Sequence, residues 1–304
     1  MKKLLFSLPL LLVATALSCT KGSVPSTGMK TISVELGYPQ LEDNTKTVLV
    51  DGTHVEWTDQ DKYIVCYTTS GDKYQLVSDE TTQKATKRFT GVIPDNAEPL
   101  YYYYDANKGS GGPDLKNGHT IRQSLGNSQT CKVADSFGIT QNYAIAKPGD
   151  ATFKNVHGYF KWTNNGSAIR SVKFETITEG EYLAGWFDVR YDKAEPTTTK
   201  YYFTTTSPTA HLTSVTSTIS YDAAIPSGKS YYAVVIPGTY HGLKVTIKRT
   251  NGSSFSLKTD ETIIVERGKY IDFGVLPIEP VTIQTGSFTL SAGQDYEEGW
   301  TLDF

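Results

Sequence analysis

Strict alternation of apolar and polar residues is the feature that most constrains the fold of this chain. The stretch 243–248 alternates residue by residue, and the alternation resumes over 255–257 after the turn dipeptide Asn251-Gly252. Successive side chains of a strand point to opposite faces of a sheet. The pattern therefore predicts a β-hairpin with one buried face and one solvated face.

Similar short stretches recur along the chain and are separated by turn dipeptides such as Asp51-Gly52 and Gly71-Asp72. The further predicted strands are Ile32–Leu36, Tyr63–Tyr67, Leu100–Tyr104, Ser171–Thr176, Leu183–Tyr191, Tyr201–Thr205, Tyr231–Ile236, Thr262–Glu266 and Ile271–Val275. No segment shows an apolar stripe of helical period over about twelve residues. Many short strands with regular turns favour β-sandwiches or barrels, and the lack of strand–helix alternation argues against a parallel sheet.

Length and charge limit the organisation and the partners of the chain. Its 304 residues are enough for two hydrophobic cores of ordinary size, so we expect two domains. The break Lys147-Pro-Gly-Asp150 precedes a fresh series of strands and places the boundary between residues 150 and 151. A net charge of −3 without a basic run gives no electrostatic reason to expect a nucleic-acid partner.

The N-terminus has the composition of an export signal. Lys2 and Lys3 precede an apolar run from Leu4 to Leu17, which is shorter than the ~20 residues that a membrane-spanning helix needs. No second long apolar run follows. We therefore expect residues 1–18 to be a signal peptide and the mature protein to have no transmembrane helix.

Cys19 directly follows Ala16-Leu17-Ser18, and the four residues resemble a bacterial lipobox. In that motif the cysteine thiol receives a diacylglycerol, cleavage makes the cysteine the new N-terminus, and acyl chains such as palmitate hold it to a membrane. The alternative is ordinary secretory cleavage near Ala16. We expect the two other cysteines, Cys66 and Cys131, to be free thiols, since one pair would not form a disulfide scaffold.

The residues that carry chemistry in other proteins do not assemble into a recognisable site. The five histidines are not paired at metal-ligand spacing, and there is no Gly-x-Ser-x-Gly motif. Asp59 and Asp61 could bind calcium or act as an acid/base pair, but a solvated loop is the preferred interpretation. Tyrosine runs such as 101–104 are expected to supply core on one face and surface on the other. We predict no catalytic residue, no metal and no cofactor.

Several segments taken together resemble the fimbrillin family of Bacteroidales surface proteins. The segment 46–65, with Trp57 and Asp61, resembles the family pattern "dg…v.W…D.i.v". The other matching segments follow in order over residues 30 to 276: Phe89-Thr-Gly91 ("f.G"), Phe153–Phe160 ("F.n..g.l"), Leu183-Ala-Gly185 ("l.G") and Tyr231–Pro237 ("yya.v.P").

The resemblance implies an all-β protein with two tandem transthyretin-like β-sandwich domains, 47–150 and 151–280, that forms type V pili or lies at a pilus base or tip. It also implies export as a lipoprotein and proteolytic removal of the N-terminal segment 19–46 with its first strand, Thr31–Leu36. Family maturation follows arginine, but no arginine precedes Arg88 here, so Lys46 is the candidate cleavage site. The alternative is that residues 40–46 simply connect two strands.

The C-terminal tail, residues 281–304, is the candidate donor strand. Val281, Ile283, Phe288 and Leu290 are its apolar residues, and Pro277 and Pro280 separate it from the last domain strand. A subunit that has lost a strand exposes unpaired backbone groups and an apolar groove, which a strand from another subunit can fill. The alternative is a final hairpin of the second sandwich.

These observations predict a non-enzymatic, lipid-anchored subunit of a fimbria at the outer membrane and cell surface. Its partners would be other fimbrial subunits, in a homo- or heteropolymer, with a host protein or glycan as a further candidate. The alternative is a monomeric surface lipoprotein that binds glycans through an exposed aromatic side chain such as Trp186 or Trp300. Whether the subunit belongs to a shaft, anchor or tip is left open.

Overall fold

A computed structural model describes the greater part of the chain after residue 27. The described residues are 28–37, 48–49, 55–57, 61–82, 84–105, 115–116, 120–132, 134–137, 143–166, 169–191, 199–203, 211–219, 227–277, 287–292 and 299–303.

The described residues form β-strands and no helix. The strands are β1 (Met29–Gly37), β2 (Val48–Leu49), β3 (Val55–Glu56), β4 (Tyr63–Thr68), β5 (Lys73–Val77), β6 (Thr86–Pro94), β7 (Pro99–Asp105), β8 (Leu115–Lys116), β9 (Thr120–Leu125), β10 (Ser128–Cys131), β11 (Ser136–Phe137), β12 (Tyr143–Ala146), β13 (Lys154–Asn155), β14 (Gly158–Thr163), β15 (Ile169–Thr176), β16 (Ala184–Tyr191), β17 (Thr199–Phe203), β18 (His211–Leu212), β19 (Ser214–Ile219), β20 (Ser230–Val235), β21 (Gly238–Arg249), β22 (Ser254–Val265), β23 (Tyr270–Val275), β24 (Ser287–Ala292) and β25 (Gly299–Asp303).

The strands form four larger sheets and one two-stranded ribbon, β2-β3. The first sheet has seven strands in the order β1-β6-β5-β4-β7-β12-β13. The second has the order β10-β19-β15-β21-β22, and the third has the order β11-β20-β14-β23-β24-β25. The fourth has the order β17-β16-β9-β8, with β18 also paired to β16. The all-β class expected from the alternation is therefore confirmed.

The predicted hairpin is present in the second sheet. β21 and β22 pair antiparallel, with Val245 opposite Leu257 and Ile247 opposite Phe255. The turn between them places Gly252 at φ +88°, a left-handed conformation that glycine adopts without steric cost. Local alternation and turn chemistry were sufficient to predict this element.

The second and third sheets are mixed, whereas the lack of strand–helix alternation argued only against a parallel sheet. The pairs β10/β19, β11/β20 and β14/β23 are parallel. Each parallel connection runs through strands of other sheets, so these pairs need no crossover helix. The lack of strand–helix alternation therefore excluded an α/β fold but not parallel neighbours.

The sheets do not divide at residues 147–150. β9 pairs with β16, β10 with β19 and β11 with β20, so residues 120–137 share sheets with strands that follow residue 158. The division of the chain into two domains at 150/151 remains a prediction, and it would require part of the first segment to complete the sheets of the second.

The tyrosine run 101–104 differs from its expected half-exposed state. All four side chains are buried, because β7 lies between β4 and β12 inside the first sheet and both its faces are covered. The nearby Asp61 is also buried, at 5% exposure, and accepts a hydrogen bond from the Tyr104 hydroxyl. The expectation of a solvated loop was therefore wrong for Asp61, which belongs to the core. Asp59 lies outside the described residues.

A buried histidine lies where the first and fourth sheets meet. The ring of His157 contacts Tyr143 of β12 at 5.1 Å and Phe187 of β16 at 5.0 Å between centroids. Its side chain is fully buried, and neither ring nitrogen has a hydrogen-bond partner among the described residues. Burial lowers the pKa of His157 to about 3, because the apolar surroundings disfavour the imidazolium.

Candidate functional site

The first strand, β1, lies at the edge of the first sheet and is the removable strand that the sequence predicts. Among the described residues, β6 is the only strand that pairs with β1. The opposite edge of β1 has a single isolated β-bridge, between Gly37 and Thr152. Exposure alternates along β1: Thr31, Ser33 and Glu35 are exposed, whereas the residues between them are half-buried or buried. The predicted strand 31–36 is thus confirmed, with its apolar side chains directed to the core.

The outer face of β1 is joined to β6 by polar contacts. Residues 29–37 pair antiparallel with 86–94, which places Glu35 opposite Arg88 and Ser33 opposite Thr90. The Glu35 carboxylate accepts hydrogen bonds from Arg88 at 3.1 Å and from Thr86 at 3.2 Å. The hydrogen bond from Arg88, followed by that from Thr86, lowers the pKa of Glu35. Solvent-exposed pairs of this kind contribute little stability, so the outer face sets the register more than it holds the strand.

An aromatic cluster lies beneath the inner face of β1, formed by Trp57, Phe89, Tyr104 and Phe153. The Trp57 ring is 5.2 Å from Phe89, 5.2 Å from Tyr104 and 5.7 Å from Phe153, in edge-to-face contacts. The Trp57 indole Nε1 donates a 2.8 Å hydrogen bond to the backbone oxygen of Leu36. Trp57, Leu36, Phe89 and Phe153 are completely buried. β1 therefore contacts this cluster at Leu36, while Ile32 and Val34 pack against the same hydrophobic core.

Two backbone features fix the position of β1. Its C-terminal residue, Gly37, donates to the oxygen of Ala151 at 2.8 Å and accepts from the Phe153 amide at 3.0 Å. On β6, Gly91 lies opposite Ile32, and a β-carbon there would lie 2.6 Å from the backbone oxygen of Gln75. Only glycine allows β6 to approach β5 so closely. The glycine of the "f.G" motif is therefore explained by strand packing.

The structure brings together residues from separate segments of the chain that carry the family resemblance. Trp57, Phe89 and Phe153 come from three motifs of the fimbrillin resemblance and meet in one cluster. The sequence did not identify Tyr104 as their fourth member, nor the Leu36 oxygen as the acceptor of the indole. Both depend on contacts between distant parts of the chain, for which the sequence contains no local pattern.

The C-terminal tail forms a hairpin at the end of the third sheet. β24 pairs with β25, placing Phe288 opposite Leu302 and Leu290 opposite Trp300. Its registered contact with the rest of the sheet is short, namely Ile271 to Ala292 and Asp272 to Ser291 of β23 and β24. The tail is thus paired within its own chain here, as the alternative of a final hairpin expects. The donor role stays a prediction.

Several predicted site residues lie outside the described part of the chain. These are Cys19, Lys46, Val281 and Ile283.

The two other cysteines lie within the described part, and the prediction of free thiols is confirmed for both. Cys66 and Cys131 are free and buried, and burial raises the pKa of the Cys66 thiol to about 12.

The described residues contain neither a metal-ligand cluster nor a membrane-spanning helix. No group of three or more His, Cys, Asp or Glu side chains there is arranged to hold a metal ion. No helix in the same ranges is long and apolar enough to span a membrane.

Trp186, the aromatic residue of the alternative glycan-binding hypothesis, lies on β16 with 43% of its side chain exposed. The backbone of Trp300 lies on β25.

Comparison with known proteins gives two neighbours of similar architecture. The C-terminally truncated tip fimbrial protein Mfa3 of Porphyromonas gingivalis matches with a TM-score of 0.38 and 6% identity, covering 91% of this chain and 100% of that chain. A crystal structure from Bacteroides eggerthii, described as a cell adhesion protein, matches with a TM-score of 0.38 and 14% identity, covering 89% of this chain and 97% of that chain. No protein-family model and no curated protein matches the sequence.

Proposed function

We propose that this chain is a structural or adhesive subunit of a type V-like fimbria, that it acts without catalysis, and that it assembles by β-strand exchange. The observation that carries the proposal is the position of β1. It is an edge strand that precedes the candidate cleavage segment 40–46, its alternate side chains pack against the hydrophobic core, and its Leu36 oxygen accepts the Trp57 indole hydrogen bond. Its loss would leave β6 with unpaired backbone groups beside an apolar groove, which is a template for another strand.

The free energy available to a replacement strand follows from what β1 buries. Complete burial of Leu36 contributes about 1.5–3 kcal/mol, and the half-buried Ile32 and Val34 contribute less, so the three together contribute about 3–6 kcal/mol. The nine registered residue pairs with β6 add hydrogen bonds, each worth about 0.5–1.5 kcal/mol net. A vacant groove is therefore strongly unfavourable, and a strand from another subunit would relieve it.

The tail is the donor in this proposal, with Val281, Ile283, Phe288 and Leu290 as the side chains that would fill the groove. Strict alternation would place the first two and the last two on opposite faces, so a turn or bulge at Gly286 would have to bring all four to one face. The attachment of the tail to its own sheet supports the assignment, because β24 meets β23 over only two registered pairs. β1 meets β6 over nine. Exchange would therefore give up a short contact and gain a long one.

Export and maturation complete the proposal. Cys19 would carry the lipid anchor that brings the precursor to the outer membrane, and cleavage after Lys46 would release the segment that contains β1. The partners are other subunits of the same or a related polymer, and the mature polymer would lie at the cell surface.

The proposal is tested by cutting the chain at one place. Residues 40–46 are replaced by the recognition sequence of a site-specific protease, and the product is followed by size-exclusion chromatography with light scattering. After cleavage we expect a ladder of oligomers, which deletion of residues 281–304 abolishes. The uncut chain, carrying the same replacement, is the matched control and stays monomeric. A cut chain that has lost β1 and remains monomeric would contradict strand exchange.

A further inference from the structure

The exposed Trp186 lies in the middle of a strand whose neighbouring side chains form the core. Phe187 and Val189 of β16 are completely buried, whereas Trp186 between Gly185 and Phe187 is 43% exposed. Trp57 and Trp162, the other tryptophans with described side chains, are completely buried. The strand therefore exposes a large part of the Trp186 side chain to solvent, at a position fixed by the packing on the opposite face of the sheet.

A paired arginine and aspartate lie beside this indole. Arg122 of β9 is directly opposite Asp188 of β16, and its Nε and Nη2 donate to the two carboxylate oxygens at 2.7 and 3.1 Å. Asp188 is two residues from Trp186 on the same face of the strand, about 7 Å along it. Ser124 is the cross-strand partner of Trp186 and is half-buried. These four residues, Arg122, Ser124, Trp186 and Asp188, define the β9–β16 patch.

The pairing leaves polar groups available on both partners. A guanidinium has five N–H groups, and two of them are used by Asp188, so three remain that no described residue engages. Each carboxylate oxygen can accept a further hydrogen bond. The patch thus offers an apolar ring face with donors and acceptors next to it, held in place by a bidentate ion pair.

The chemistry of the patch selects among ligand classes. The Arg122–Asp188 pair is neutral overall and gives neither an anion nor a cation a net attraction, while a purely apolar partner would leave the polar groups of the pair unsatisfied on burial. A neutral sugar suits both the indole and the ion pair. The C–H face of a pyranose covers an aromatic ring, and its adjacent hydroxyls can donate hydrogen bonds to Asp188 and accept them from Arg122. Ligand sites commonly combine an aromatic surface with a few placed polar groups in this way.

We infer that the β9–β16 patch is a binding site for a neutral saccharide, with Trp186 as the stacking platform and the Arg122–Asp188 pair as the hydroxyl-binding group. This inference deepens the proposed adhesive function and rests on it for its biological meaning. The site lies on the fourth sheet, whereas the strand-exchange groove lies at the β1 edge of the first sheet.

The test uses the full-length chain on a printed array of neutral oligosaccharides ending in galactose, glucose, mannose or N-acetylglucosamine. The oligosaccharide bound best is then titrated against the protein by tryptophan fluorescence. We expect binding to at least one terminal sugar, weakened about tenfold or more by Trp186→Ala and by Arg122→Lys, and less by Trp186→Phe. Ile264→Ala, which removes another exposed apolar side chain on β22, is the matched control and leaves binding unchanged.

Two results would overturn the inference: no neutral oligosaccharide bound by the folded wild type, or undiminished binding by the folded Trp186→Ala chain. If the array is empty, protection of Trp186 from acrylamide quenching in assembled oligomers would show that another subunit covers the patch. Assembly itself distinguishes the two proposals. Trp186→Ala is expected to form the same oligomer ladder as wild type. A wild-type chain that forms the ladder but binds no sugar would overturn only the saccharide site, and one that binds sugar but forms no ladder would overturn only strand exchange.

Discussion

Acidification should destabilise this protein through His157, whose imidazole is buried between Tyr143 and Phe187. The pKa of His157 is lowered to about 3 in the folded chain, against an ordinary value of 6.5. Protonation is therefore easier in the unfolded chain. The stability that depends on a neutral His157 is fully present above pH 6.5 and is lost progressively as the pH falls toward 3.

The size of the effect follows from the two pKa values. One pKa unit corresponds to about 1.4 kcal/mol, so the full difference between pKa values of about 3 and 6.5 is worth roughly 5 kcal/mol at very low pH. Between pH 7.5 and 5.0, only the unfolded chain takes up the proton to a large extent. The free energy of unfolding should then fall by about 2 kcal/mol through this group alone.

Urea unfolding at pH 7.5 and pH 5.0, followed by tryptophan fluorescence, measures this loss. His157→Gln removes the titrating group, so the pH-dependent loss should be about 2 kcal/mol smaller than in wild type, whatever the variant's absolute stability. Val189→Ala, which truncates a buried side chain of β16 that does not titrate, is the control and should keep the wild-type pH-dependent loss. Equal pH dependence in wild type and His157→Gln would refute the reasoning, because His157 would then not be a neutral buried group.

Three further predictions concern the core and the β1 edge. Leu36→Ala removes the fully buried side chain at the end of β1 and should lower the free energy of unfolding in urea by about 2–5 kcal/mol; a loss below 1 kcal/mol would mean that β1 is not packed on the aromatic cluster. Gly91→Ala should cost about 1–3 kcal/mol in the same assay, since its β-carbon would meet the backbone of β5, and an unchanged midpoint would contradict that close approach. In a Cys19→Ser chain, Cys66 and Cys131 should not react with Ellman's reagent at pH 8 until urea unfolds the protein, and rapid reaction of the native chain would contradict their burial.

Much of the strand content was predictable because it depends on local pattern. The alternation over 243–248 and the turn Asn251-Gly252 specify a hairpin without reference to the rest of the chain. The same holds for β1, where residues 31–36 alternate and the structure places the apolar ones toward the core. Elements of this kind follow from sequence because neighbouring residues determine them.

Long-range pairing was not predictable in the same way. The run 101–104 was expected to bury one face and expose the other, yet its position between β4 and β12 buries both. The parallel partner of β14 is β23, which lies far along the chain and carries no local signal of its direction. Burial of Asp61 likewise depends on Tyr104 being brought to it by sheet packing.

The candidate sites also combine features that the sequence predicts with features that it does not. The exposed tryptophan of the β9–β16 patch could be named as a candidate from the sequence, but the Arg122–Asp188 pair beside it depends on the register between β9 and β16. Similarly, Trp57 and Phe89 could be identified as motif residues from the sequence, but their ring contact near β1 could not be predicted. Residue types suggest a site, whereas its geometry requires the fold.

Binding of the isolated tail tests most directly whether the groove under β1 accepts a strand. A fluorescently labelled peptide of residues 281–304 is titrated into the site-specifically cut, tail-deleted chain, and fluorescence anisotropy is followed while mass spectrometry records the released segment that contains β1. Strand exchange predicts saturable binding at one peptide per chain, with release of β1, and no binding to the uncut chain. Absence of binding after β1 has been lost would contradict the account.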